Sequence, residues 1–96
     1  MTYLDQIDKL HPDLISAFLT SGHCDGIPVE IQLFLKQLQW AAEVYEYERN
    51  ISRAAKQLQT RILAMQKLTI DVRTCKARIY AAISYFNIDN NVSIKV

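Results

Sequence analysis

Apolar residues recur along this chain at three- and four-residue steps, and the recurrence breaks in only a few places. Such spacing predicts helices, because about 3.6 residues per turn returns those positions to one side. Leu4, Ile7 and Leu10 outline a short first helix, Tyr3 to Leu10. Pro12 interrupts it and opens a second, Pro12 to about Thr20, because a missing N–H costs nothing in a first helical turn. That helix would bury Leu14, Ile15, Phe18 and Leu19, and Gly22 stops it as a C-terminal cap. His11 reads as punctuation at its entry.

SGHCDGIP, residues 21–28, is the one clear loop. The longest helix follows, Pro28 to Arg49, with Ile31, Phe34, Leu35, Leu38, Ala41, Ala42 and Tyr45 on its apolar side. Asp25 and Glu30 near its start and Arg49 near its end suit the helix dipole. A fourth helix, Ile51 to Met65, has Ile51, Ala54, Ala55, Leu58, Ile62 and Met65 on one face. Asn50 or Ser52 as an N-cap is the one sign of a break before it, so a continuous helix over residues 28–65 stays open. Asp71 caps a fifth helix to Phe86, whose core stripe is Cys75, Ile79, Ala82, Ile83 and Phe86. NIDNN, residues 87–91, ends it, and the apolar VSIKV reads as cut from a longer protein. The expected fold class is all-α: a small bundle of four to five helices containing a helix-turn-helix. Residues 1–27 are expected as an N-terminal helical hairpin and loop and residues 28–96 as the helix-turn-helix DNA-binding domain, the two making one compact domain overall.

Composition agrees with helices. Gly and Pro number two each, too few for the turns of an all-β domain. Net charge is only +1, but its distribution is uneven. Residues 1–48 hold eight acids and two bases, residues 49–96 nine bases and two acids. That asymmetry suggests a basic half that meets a polyanion, or two halves that attract each other.

The fifth helix gives the basic half a use. Arg73, Lys76, Ala77 and Tyr80 recur along a second stripe, well away from the core stripe. A link of about five residues joins this helix to the fourth, and Ala54 and Ala55 allow a close crossing. A helix-turn-helix has this arrangement, and its second helix enters the DNA major groove by its N-terminus. Val72, Arg73, Lys76, Ala77 and Tyr80 are the expected reading positions. Arg bonds guanine edges, Lys reaches a base or phosphate, and Val72 meets a thymine methyl. Arg53, Lys56, Arg61 and Lys67 are the expected phosphate contacts. The competing reading is a plain helical bundle with a solvated basic face, acting as an interaction or oligomerisation module.

The run NISRAAKQL followed by TIDVRTCKARIYAAISYFNIDNNVS is similar to the N-terminal helix-turn-helix of small terminase subunits from tailed bacteriophages. The resemblance covers residues 28–96. It implies a non-enzymatic packaging component that binds duplex DNA, assembles as a homo-oligomer and serves the large terminase subunit, a packaging ATPase. It assigns the cap to Asp71 and the reading face to Arg73, Lys76 and Tyr80. It also implies the cytoplasm of a bacterial host. The turn MQKLTID departs from the pattern in lacking Gly. A transcriptional regulator would use the same DNA chemistry.

Other candidate chemistry is sparse. His23, Cys24 and Asp25 are adjacent, and adjacent residues rarely point at one ion, so no metal is expected. Cys75 lies on the core stripe and reads as a small buried hydrophobe. Glu43, Glu46 and Glu48 need only be a solvated face. Trp40, Tyr45 and Tyr47 form either an aromatic patch or a core rim. No phosphate-binding loop or nucleophile–base set is recognisable, so neither enzyme activity nor a cofactor is expected. The acidic start MTYLDQIDKL does not resemble a signal peptide. No apolar run reaches the roughly 18 residues of a membrane span, and a cytosolic protein is expected.

Overall fold

The computed structural model describes residues 3–86. The expected helix end at NIDNN and the VSIKV tail lie outside them. The described residues form five helices: α1 (Tyr3–Asp8), α2 (Pro12–Ser21), α3 (Val29–Glu48), α4 (Ile51–Gln66) and α5 (Val72–Tyr85). The fold is all-α, with no strand among the described residues. The chain divides into two compact units, and the division falls inside α3, between Lys36 and Gln37.

The first unit holds α1, α2, the loop and the start of α3. Its buried side chains are Ile7, Ile15, Phe18, Ile27, Ile31, Phe34 and Leu35. Tyr3 lies against Phe34, with ring centroids 5.1 Å apart. At the entry of α2, Nδ1 of His11 accepts from the Asp13 N–H at 3.1 Å. At its exit Gly22 adopts φ 76° and donates its N–H to the Phe18 carbonyl. The sequence boundary at 27/28 differs from the structural division because the loop is tied to α3. Ile27 is buried, and its carbonyl accepts from Gln32 Nε2 at 2.7 Å.

The second unit holds the rest of α3, then α4 and α5. Its apolar interior is Leu38, Ala41, Val44, Ala54, Ala55, Leu58, Ile62, Cys75, Ile79 and Ala82. α4 and α5 pack on each other, and Ala54 and Ala55, both fully buried, leave room for that approach.

α3 and α4 are two helices, not one. Arg49 takes the left-handed conformation, φ 59°, and donates its N–H to the Tyr45 carbonyl at 2.8 Å. Asn50 then turns to extended geometry, and its Oδ1 accepts from the Arg53 N–H at 2.9 Å. One helix is closed and the next capped within two residues.

Several apolar positions sit differently from expectation: Leu14, Leu19, Ile51, Ile83 and Phe86 are half-buried rather than fully buried. Val44 is buried while Tyr45 is half-buried under the Arg49 guanidinium, 5.7 Å from its ring centroid. Ala42 is also half-buried. Met65, expected on the buried face of α4, is 66% exposed. At about 100° per residue the seam that runs through Ile62 continues at Gln66 rather than Met65.

That seam ends in a polar clamp. Gln37 of α3 is 4% exposed, the one buried polar side chain among the described residues. Its Nε2 donates to Gln66 Oε1 at 3.0 Å, and its Oε1 accepts from Arg78 Nε at 2.9 Å. Both ends of its amide are satisfied, which makes burial affordable. The clamp joins α3, the end of α4 and the middle of α5.

Candidate nucleic-acid interface

The link between α4 and α5 is five residues, Lys67–Asp71, and three devices fix it. Lys67 adopts φ 59° and ψ 31°, and its N–H reaches the Leu63 carbonyl. This is the left-handed closing position that Gly usually fills, so the turn keeps the helix-stop geometry without Gly. The Lys67 ammonium adds a contact to the Ala64 carbonyl at 3.3 Å, where the α4 dipole favours a cation. Gln59 Nε2 donates to the Ile70 carbonyl at 2.8 Å, fastening the end of the link to α4.

Asp71 then starts α5. Its Oδ1 accepts from the Thr74 N–H at 2.7 Å. Hydrogen bonds from Thr74, side chain first and then backbone, hold the Asp71 carboxyl below the usual carboxylate range, and the nearby Arg73 charge lowers it further. The cap is therefore ionised at neutral pH.

From this start α5 buries Cys75, Ile79 and Ala82. The opposite side exposes Arg73, Ala77 and Tyr80, and Tyr80 is 61% exposed. Val72 and Lys76 flank them, half-buried. All five expected reading positions thus lie off the buried stripe of one helix. Arg78, the third basic residue of α5, is half-buried and belongs to the Gln37 clamp.

The four expected phosphate contacts are more dispersed. Lys67 stands exposed in the turn, and Arg53 and Lys56 are exposed on α4. Arg61 is half-buried and already engaged, its Nη1 2.9 Å from Glu43 Oε1. Arg53 Nη1 lies 4.0 Å from Glu48 Oε1. Two of these four residues are therefore paired with acids inside the second unit, Arg61 with Glu43 and Arg53 with Glu48. Lys56 and Arg61, with Gln57, Thr60, Ala64 and Met65, line an open depression of about 550 Å³ along α4.

The tempting sites elsewhere hold little chemistry. Among the described residues no group of three or more His, Cys, Asp or Glu side chains is placed to hold a metal ion. His23 Nε2 and Asp25 Oδ2 approach to 3.5 Å on the surface, with Cys24 exposed between them in sequence. Cys75 is buried, and loss of solvent pushes its thiol up, away from the reactive thiolate. Tyr47 is 83% exposed and Trp40 half-buried. No described helix is long and apolar enough to cross a membrane.

Sequence reasoning passed over Gln37, Gln59 and Gln66. Gln37 had a usable signal: it stands three residues after Phe34 and four before Ala41, both on the apolar stripe. Comparison of the chain with protein-family models, curated proteins and solved structures found no match.

Proposed function

We propose that this chain is a non-enzymatic helix-turn-helix module that reads duplex DNA with the first two turns of α5. The observation that carries the reading is the exposed side of α5, where Arg73, Ala77 and Tyr80 stand together above a rigidly capped N-terminus. An α-helix about 10–12 Å wide fits a major groove about 12 Å wide. Arg73 supplies the bidentate fork that matches a guanine edge. Lys76 reaches a base or a phosphate, and Ala77 is small enough to let the helix sit close. Tyr80, one turn deeper, offers a hydroxyl to the backbone. Arg53, Lys56, Arg61 and Lys67 are the proposed phosphate contacts, and double-stranded DNA is the proposed partner.

The resemblance to small terminase subunits gives this chemistry a setting. In that setting the DNA is a phage genome in the host cytoplasm. Further copies of the chain and the large terminase subunit are then its protein partners. The same reading face serves a transcriptional regulator equally well. A second reading, an interaction module without DNA, is favoured by the exposed Leu63, Met65 and Leu68 around the α4–α5 turn.

A mobility-shift series at rising salt separates the two. A protein that neutralises phosphates loses affinity steeply, with log K falling by about 0.9 per phosphate for each unit of log salt. Steep salt-dependent duplex binding supports the DNA reading. Duplex affinity that is absent at low salt, together with assembly that dissolves as salt rises, supports the interaction module.

A further inference from the structure

Two glutamates at the C-terminal end of α3 occupy arginines that the DNA reading assigns to phosphates. Glu43 Oε1 holds Arg61 Nη1 at 2.9 Å. Glu48 Oε1 stands 4.0 Å from Arg53 Nη1, and its other oxygen accepts from Gln57 Nε2. The pairs 43–61 and 48–57 run in opposite directions along the two helices, so the acids of α3 form a short ladder beside the outward residues of α4. A carboxylate and a phosphate present similar oxygens to a guanidinium. Each arginine therefore meets a DNA backbone with part of its charge already offset by a carboxylate, closely for Arg61 and loosely for Arg53.

We propose that Glu43 and Glu48 are specificity-determining residues that hold down the sequence-blind part of DNA binding. The inference rests on the DNA reading above. Phosphate contacts act on every duplex alike, and base contacts act on the target alone. Weakening the first term leaves the protein less absorbed by random DNA, and α5 decides where it stays. Arg73 and Lys76 on α5 lie outside this ladder, which acts only on the residues of α4.

Glu43→Gln tests this, with Glu46→Gln as the control. Glu46 is exposed on the same helix and outside both pairs, so it makes the same change in net charge. Fluorescence anisotropy with a labelled random-sequence duplex reads the affinity, and circular dichroism checks the fold. The expected result is that Glu43→Gln tightens binding about two- to five-fold beyond Glu46→Gln, the range set by one exposed ion pair. The dependence on salt steepens by up to about one in the log–log slope, and the gain disappears when Arg61→Ala is added. Equal gains from the two variants, or a gain that survives Arg61→Ala, overturn the inference and leave the DNA reading standing. Wild-type protein that binds no duplex at low salt overturns both.

Discussion

Arg78 Nε donates to Gln37 Oε1 at 2.9 Å, across 41 residues of sequence. A basic residue of α5 thus serves the interior, while its neighbours Arg73 and Ala77 face outward. Because Gln37 also donates to Gln66, one buried amide sets the relation of three helices. Gln37→Leu removes an acceptor from Arg78 and a donor from Gln66, and is expected to destabilise by about 1–3 kcal/mol. Urea unfolding measures it. Combined with Arg78→Met, the losses should fall short of additive by about 0.5–3 kcal/mol, as for groups in one network. Simple additivity would remove the clamp from the account.

Asp71→Ala should lower the melting temperature, because the Thr74 N–H loses its acceptor. The effect has a pH signature. The folded carboxyl titrates below its unfolded value, held down by Thr74 and then Arg73. Its contribution is therefore full above the unfolded value and is lost as pH falls through the folded one. The gap in melting temperature between wild type and Asp71→Ala should be constant near neutrality and close in acid. Thermal melts followed by circular dichroism across that range check it.

The features legible in the sequence are local ones. Period placed the helices but left residues 28–65 open as one helix or two, and Gly22 and Asp71 announced caps because a cap is decided by a residue and its next few neighbours. The outward position of Arg73, Ala77 and Tyr80 followed from their angular offset from Cys75, Ile79 and Ala82. What stayed hidden depends on distant partners or on conformations without a residue signature. Gln37 reads as a polar surface residue until Gln66 and Arg78 are beside it. Arg61 reads as an available cation until Glu43, 18 residues earlier, is beside it. Arg49 and Lys67 both close helices in the left-handed conformation, a role that composition would assign to Gly.

Lys67 makes that last point testable. A left-handed L-residue is strained by roughly 1–2 kcal/mol, and Gly gives back about 0.5–1 kcal/mol through its freer unfolded chain. Lys67→Gly should therefore stabilise by about 0.5–1 kcal/mol in urea unfolding. A clear loss would mean that the ammonium contact with the Ala64 carbonyl outweighs the backbone strain.

The two thiols should differ sharply. Cys24 is exposed and Cys75 buried with its thiol pushed up by desolvation. A chromogenic disulfide reagent should modify Cys24 at once in the native protein. Cys75 should react only as fast as the second unit opens, and mild urea should speed it. Prompt reaction of both would contradict the packing of α5.

The central claim is that the exposed side of α5 reads base sequence, and a comparison of Arg73→Ala with Arg53→Ala on two duplexes tests it most directly. One duplex is the sequence that the wild-type protein enriches from a random library, and the other is its scrambled form. Arg73→Ala should cost about 1–3 kcal/mol on the enriched duplex and little on the scrambled one. Arg53→Ala should weaken both alike. An Arg73→Ala variant that keeps full preference for the enriched duplex, or a wild-type protein that enriches nothing, would contradict the account.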